Sequence, residues 1–354
     1  PKQIEAQSKI DNVFWYNVND LITGHKTGNI KCHCINEYPN LKITDLPKPF
    51  NKPDIVIFES LYFKPFLNIS SNCRKNNIPY LIVPRSSLTE AGQNSKFFKK
   101  KLGNILFFNK FIKNALGIQY LTEKEYKDSS NKWNKNNIII PNGVDSKERV
   151  KKTFNSIKIK GVFIGRLDIY QKGLDLLVEA CGKIKEELER YNCVIHIHGP
   201  EIGESKSKLL NMIKANRLEG ILFIKNPIFA EEKENILLNS DFFILTSRFE
   251  GHPMSLIEAL SYGLPSMITT GTNMAEEIRD NGAGWISDIS AESIAKALRQ
   301  LLNDKESFQD KSLNSLKLSQ EYNWDKLAVV SNGKYTSLLK KGKDKYGYNE
   351  TSSL

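Results

Sequence analysis

Nowhere in the 354 residues does an apolar run approach the ~20 residues a membrane-spanning helix needs, and no charged start, apolar middle and small-residue cleavage site marks a secretory leader. The chain reads as cytoplasmic. Cysteine is sparse: Cys32, Cys34, Cys73, Cys181 and Cys193 are odd in number and scattered, which argues against a disulfide framework and for reduced thiols. Metal ligands are as thin. Cys32-His33-Cys34 has no second ligand pair at the spacings a closed zinc site uses, so it reads as an ordinary strand or loop. His196 and His198 alternate in "CVIHIHGP", share one face of a predicted strand and read as packing residues. No internal repeat or low-complexity tract stands out.

What is present is the composition of a soluble globular enzyme, 40% hydrophobic and 26% charged, on a chain long enough for two hydrophobic cores. The formal net charge of +11 favours phosphate-rich partners: nucleic acid, an anionic membrane or a nucleotide substrate. No helix-turn-helix, RNA-binding aromatic signature or zinc finger accompanies the charge, so no nucleic-acid partner is expected. The densest basic stretch is "KFFKKKLGNILFFNKFIKN", residues 96–114. At about 100° per residue, Phe97, Phe98, Leu102, Ile105, Phe108 and Ile112 share one side. Lys96, Lys99, Lys100, Lys110 and Lys113 crowd the other, while Lys101, Phe107 and Phe111 break the separation. Two readings stay open: a core helix with a solvated basic face, and peripheral contact with the inner face of an anionic bilayer.

Short β-rich runs alternate with helical patterns almost from end to end, the rhythm of βαβ units and parallel sheets. In the first half strands are predicted at 12–18, 54–60, 80–85, 117–122 and 137–141, with helices near 64–77 and 95–115. The second half runs "KGVFIGR", a helix over 173–190, "CVIHIHG", a helix near 205–217, "GILFIK", a helix near 231–239 and "DFFILTS". "PSMIT", a helix near 273–281 and "GWIS" follow. Two such sheets imply an α/β protein of two Rossmann-like domains. The junction is expected in the polar, basic "SKERVKKTFNSIKI", residues 146–159, after the turn signal "PNGVD". Ligands of these folds bind outside the C-terminal ends of the strands, so two domains facing each other there form a cleft.

"SRFEGHPMSLIEALSYGLPSMIT", residues 247–269, places Glu250 and Glu258 around a Gly-His-Pro turn. A strand ends near Ser247; a helix starts near Pro253 or Met254 and stops before Gly263-Leu264-Pro265. Glu250 then lies in the loop and Glu258 in the second helical turn. Unpaired N–H groups on Met254, Ser255 and Leu256 at the helix start attract an anion such as a diphosphate. One anion beside two carboxylates suits a nucleotide-sugar, each carboxylate accepting hydrogen bonds from ribose or sugar hydroxyls. The plain alternative is that Glu258 is a surface residue of an amphipathic helix. A second stretch, "VFIGRLDIYQKGLDLLVEA", residues 162–180, ends a strand at Gly165 and sets Arg166 and Lys172 in the loop that follows. Two cations there neutralise charge developing on a departing diphosphate, unless they are only solvated loop cations.

"GRLDIYQKGLDLLVEA" followed by "SRFEGHPMSLIEALSYGLPSMIT" resembles the signature of family 4 retaining glycosyltransferases with the GT-B fold, the second stretch carrying that family's E-x7-E element as Glu250 and Glu258. Supporting matches are "PRSSLTEAG" at 84–92, "LTEKEY" at 121–126, "PNGVD" at 141–145, "HGPEIGESKSKLL" at 198–210 and "GTNMAEEIRDNGAGWI" at 271–286. The resemblance implies an acceptor-binding domain over 1–150 and a nucleotide-sugar-binding domain over 151–323, facing across a cleft. Residues 324–354 would form a C-terminal helix returning to the first domain. It implies that Arg166 and Lys172 bind the donor diphosphate, Glu250 contacts the donor sugar and Glu258 binds the ribose. Gly165 and the backbone of Gly251, His252, Pro253, Met254, Ser255 and Leu256 would line the donor site, with Arg85 and Asn142 as further contacts to donor or acceptor, unless Arg85 is only a satisfied loop arginine. No cofactor or metal is expected, because the leaving diphosphate itself helps take the acceptor proton in such enzymes.

The nucleotide-sugar is a substrate, expected from family habit to be a UDP-sugar. The acceptor is expected to be a glycan or lipid-linked glycan of bacterial cell-surface polysaccharide. Residues 1–18 resemble the helix and strand that follow the family's opening strand and glycine-rich loop, so that strand and loop are expected to be missing from this chain. Two rival readings are a GT-B sugar-nucleotide epimerase and a non-catalytic GT-B subunit that binds a partner glycosyltransferase or adhesin. The E-x7-E element with its Arg and Lys favours transfer.

Overall fold

A computed structural model describes residues 1–19, 26–94, 97–129, 132–154 and 157–346, with side chains to residue 342. Lys96 of the basic stretch, residues 155–156 of the expected junction and residues 347–354 of the expected C-terminal helix lie outside the described residues. The chain divides into two units, Pro1–Asn142 with Trp324–Leu354, and Gly143–Asn323.

The first unit holds two sheets. Four parallel strands, Val56–Glu59, Tyr80–Val83, Gly117–Tyr120 and Asn137–Ile139, lie in that order. Apolar runs such as Tyr80-Leu81-Ile82-Val83 are buried throughout, as parallel strands covered on both faces require. Tyr80 and Ile82 share a core with Phe108, Phe111 and Ile112. The alternate residue, Leu81, joins Leu116 and Ile140 on the other face, against Tyr335 and Leu338 of the long helix Trp324–Tyr346. Tyr335 OH donates to Gln119 Oε1 at 2.8 Å and Lys334 Nζ to the Ile139 carbonyl at 2.6 Å, so the C-terminal helix is fastened to this sheet by polar bonds as well as by packing.

In the second sheet Trp15–Asn17 and Ile30–Cys34 pair in parallel, and Lys26–Thr27 pairs antiparallel with the latter. Cys32-His33-Cys34 is therefore strand. His33 stacks on Phe14 with ring centroids 4.4 Å apart, and its Nδ1 lies 3.0 Å from Glu37 Oε2. All five cysteines are free and buried. Burial raises the thiols of Cys32, Cys73, Cys181 and Cys193, to about 12 for Cys73 and Cys193.

The stretch expected as one helix near 95–115 has an interruption. Phe97–Gly103 and Asn109–Asn114 are joined by a π-helical turn, Asn104–Phe108. The wider turn offsets the helical phase between the two halves. Phe108 and Ile112 enter the core with Phe111, whereas Phe97, Phe98, Leu102, Ile105 and Phe107 stay exposed. The single apolar side read from the sequence is split in two.

The second unit is one six-stranded parallel sheet in the order Leu222–Lys225, Cys193–His198, Ile159–Ile164, Phe242–Leu245, Ser266–Thr269, Gly284–Ser287. Numbered along the chain this is 3-2-1-4-5-6, the doubly wound order, and its direction reverses between Ile159–Ile164 and Phe242–Leu245. Gly161 lets those two strands approach, since a Cβ there would lie 2.4 Å from the Phe242 ring. At the start of the same strands Lys151 Nζ sits 3.0 Å from Asp241 Oδ1, both side chains almost fully buried, and Asp241 Oδ2 accepts the Lys160 N–H at 2.9 Å. The helix predicted over 173–190 breaks at the buried Ile184 into Leu174–Lys183 and Lys185–Arg190. The unit begins ahead of the polar stretch 146–159 because Val144 N–H already donates to the Tyr322 carbonyl at 2.7 Å. His198 is buried with Nδ1 3.1 Å from the Asn226 carbonyl, and His196 packs on Phe223 with ring centroids 5.4 Å apart. Among the described residues no helix is long and apolar enough to cross a membrane.

Candidate functional site

The reversal of strand order leaves a crevice in the second unit, and the loops after its first and fourth strands supply the groups there. The first strand ends at Ile164, and the N–H of Gly165 just after it donates to the His198 carbonyl at 3.0 Å. Gly199 must be glycine for that contact, since a Cβ on it would sit 1.7 Å from the Gly165 oxygen. The loop then turns at Gly173, φ +59°, where a Cβ would meet the Thr246 oxygen at 2.0 Å. Thr246 Oγ1 donates to the carbonyls of Lys172 and Gly173 at 3.1 and 3.0 Å, which fixes the backbone carrying Lys172.

From that backbone the Lys172 side chain, 10% exposed, forms an ion-paired hydrogen bond with Glu250 Oε1. Ser247 Oγ lies 3.2 Å from the same oxygen. The Glu250 loop is held independently: its N–H donates to the Gly271 carbonyl at 2.9 Å, and Thr269 Oγ1 donates to the Ser247 carbonyl at 2.5 Å. The fold thus brings Lys172 and Glu250 together across 78 residues of sequence, with both loops braced from behind.

Arg248, which no sequence signal singled out, is the main brace. Its N–H donates to the Gln171 carbonyl at 2.9 Å, and its guanidinium makes two 2.7 Å bonds to the Asp175 carboxylate. It also donates to the Tyr170 carbonyl at 2.9 Å and lies 4.6 Å from that ring's centroid. Arg166 stands apart from the pair: it is exposed, and its Nη2 donates to Gln171 Oε1 at 3.3 Å.

Helix Met254–Ser261 starts four residues after Glu250, with Pro253 as its N-cap in extended conformation. Leu256 N–H is taken by the Pro253 carbonyl at 3.1 Å, which corrects the expected trio of unpaired N–H groups to Met254 and Ser255. Gly251 and Ser255 are half-buried, Met254 is exposed, and Pro253 and Leu256 are buried. The His252 ring is buried against Tyr322, centroids 5.0 Å apart, and burial pulls its pKa down to about 3. The ring is neutral at physiological pH. Glu258 is not a lone surface carboxylate: it is half-buried and paired at 2.8 Å with Lys233 of helix Ala230–Leu238, another residue the sequence pattern did not mark.

Arg85 and Asn142 meet in the first unit, Arg85 Nη1 donating to Asn142 Oδ1 at 3.1 Å. Nε and Nη2 of Arg85 donate to Glu59 Oε2 at 3.1 and 2.7 Å. Arg85 and Ser86 both have left-handed backbone, φ +49° and +64°, and the buried Glu125 carboxylate accepts the Ser86 N–H and, at 2.7 Å, the Leu121 N–H. Burial raises the Glu125 pKa. Among the described residues no group of three or more His, Cys, Asp or Glu side chains could hold a metal ion.

Residues 144–317 match the family model of glycosyl transferases group 1. The chain is 23% identical over 265 residues to an uncharacterized glycosyltransferase of Methanocaldococcus jannaschii, covering 72% of this chain and 67% of that one. It is 33% identical over 141 residues to the amylovoran biosynthesis glycosyltransferase AmsD of Erwinia amylovora, covering 39% and 37%. Against the curated relatives it matches, the chain spans from about a quarter to two thirds of their length. The crystal structure of Anabaena HepE in complex with UDP and glucose has the same fold, with a TM-score of 0.62 at 14% identity, covering 80% of this chain and 78% of that one. The fold is GT-B, and over residues 144–317 the chain is similar to the group 1 glycosyl transferases.

Proposed function

We propose that the chain is a retaining, metal-independent glycosyltransferase that moves a sugar from a UDP-sugar to a glycan or lipid-linked glycan acceptor of bacterial cell-surface polysaccharide. The observation that carries this reading is the buried Lys172–Glu250 pair at the strand-order reversal, four residues ahead of a helix N-terminus. A cation fixed by its own loop and by a carboxylate needs no reorganisation when negative charge builds on a leaving diphosphate. The free N–H groups of Met254 and Ser255, and Arg166 from the loop, add to that field. In transfer, the bond between the anomeric carbon and the diphosphate oxygen breaks, the acceptor oxygen bonds to the same face of the sugar, and the acceptor proton passes to the departing diphosphate. Glu250, anchored by Lys172, accepts hydrogen bonds from the donor sugar; Glu258, anchored by Lys233, accepts them from the ribose. The amylovoran relative supports a polysaccharide product, and UDP in HepE supports uridine as the base. Five unbridged cysteines fit a reducing, cytoplasmic setting.

Titration calorimetry with UDP-, GDP-, ADP- and dTDP-sugars tests this. UDP-sugars should bind, and Glu258→Ala should weaken them ~10–100-fold, the scale of losing a hydrogen bond to a charged group. Binding of none of the four, by folded protein, would remove the donor site and leave a non-catalytic subunit as the better reading.

A further inference from the structure

The segment Phe97–Asn114 is only half used by the fold. Downstream of the π-turn, Phe108, Phe111 and Ile112 are core. Upstream, Phe97, Phe98, Leu102, Ile105, Leu106 and Phe107 are all exposed, Phe98 at 85%. Six large apolar side chains in eleven residues form a surface that isolated exposed hydrophobics do not explain. The segment is nevertheless well anchored. Asn104 is buried, its Oδ1 accepting from Tyr62 OH at 3.0 Å and its Nδ2 donating to Gln93 Oε1 at 2.9 Å. Lys100 donates to the Gly92 carbonyl and lies 5.4 Å from the Tyr62 ring centroid. A rigidly held helix that shows its apolar side outward is built for something that is not in the chain's own core.

The surrounding charge says what. Lys99 and Lys101 are exposed within this stretch and Lys110 and Lys113 in the helix that follows it, and no acidic residue occurs between Glu90 and Glu123. A two-fold dimer through the patch would set those lysines against their own copies, an arrangement that like-charge repulsion opposes. An anionic lipid surface satisfies both halves, taking the aromatic and aliphatic side chains into the headgroup and acyl boundary while lipid phosphates face the lysines. We propose that Phe97–Phe107 is a bilayer-docking element for anionic membranes, fixed in its outward orientation by the π-turn. The proposal stands independently of the donor reading, because it rests on the first unit alone.

Flotation with vesicles of equal parts phosphatidylglycerol and phosphatidylcholine, and with phosphatidylcholine alone, tests it on the full chain. Binding is expected to the first and not the second, and to fall as salt is raised. Phe98→Ser with Leu106→Ser should lower partitioning by about tenfold or more per side chain. Lys99→Gln, Lys101→Gln, Lys110→Gln and Lys113→Gln together should lower it by roughly fivefold per lysine. Both variants alter exposed side chains and should unfold at the parent's temperature. Failure of the parent to float with the anionic vesicles would overturn the proposal. So would binding that neither variant changes, or a dimer in sedimentation that Phe98→Ser dissociates.

Discussion

Lys172→Ala is expected to lower sugar transfer by ~10²–10³-fold, the scale of deleting one preorganised charge from a transition-state site. The ammonium is reached only through a turn that glycine alone permits at Gly173, and its Glu250 partner is 11% exposed. Removing the cation therefore has a second effect, leaving the Glu250 carboxylate with Ser247 as its described side-chain partner, at a cost approaching ~3 kcal/mol on the scale for breaking a buried pair. The two effects separate in a double variant. Lys172→Met with Glu250→Gln removes both charges, so thermal stability should return most of the way to that of the parent while transfer stays low. Turnover of a radiolabelled donor sugar, read beside a melting curve for each protein, decides it. A folded Lys172→Ala enzyme with parental turnover would sink the diphosphate role. Recovery of turnover in the double variant would show that the pair is structural only.

Asp241→Ala is expected to be the most destabilising single change in the second unit, by about 3–5 kcal/mol, because it strands the buried Lys151 ammonium. The same side chain ties the edges of the first and fourth strands through Lys160, so the loss falls directly beneath the crevice. At ~2–4 °C per kcal/mol, the melting temperature should drop by roughly 10 °C. Lys151→Met with Asp241→Asn keeps an acceptor for the Lys160 N–H and leaves no unpaired ion, so it should cost ~1 kcal/mol or less. Urea unfolding of the two proteins checks the difference; equal losses would mean that the ion pair is not what holds this end of the sheet.

Most strands of the four-stranded and six-stranded sheets were legible because parallel strands buried on two faces leave unbroken apolar runs, as in Phe242-Phe243-Ile244-Leu245. Gly263 and Pro265 marked the end of helix Met254–Ser261 for local reasons of backbone geometry, and Gly263 indeed has φ +80°. Ile30–Cys34 was harder to read, since Lys31 and His33 interrupt its apolar pattern and its register is set by Trp15–Asn17. The π-turn was invisible for a different reason: periodicity assumes a constant 3.6 residues per turn, and one wider turn sends Ile105 and Phe108 to opposite environments. Within the crevice, the residue types at positions 172, 250 and 258 were readable, but their partners were not. Lys233, Asp175 and Thr246 become neighbours of the site only through sheet order, and nothing local in their own sequence records it.

The burial of every cysteine has a practical consequence. Buried thiols react slowly with maleimides, because the sulfur must be reached by the reagent. The folded protein therefore starts as a chemical blank. A single Phe98→Cys substitution, at a position 85% exposed, gives it one fast-reacting thiol, to which a polarity-sensitive dye can be attached with the parent protein as its own background control.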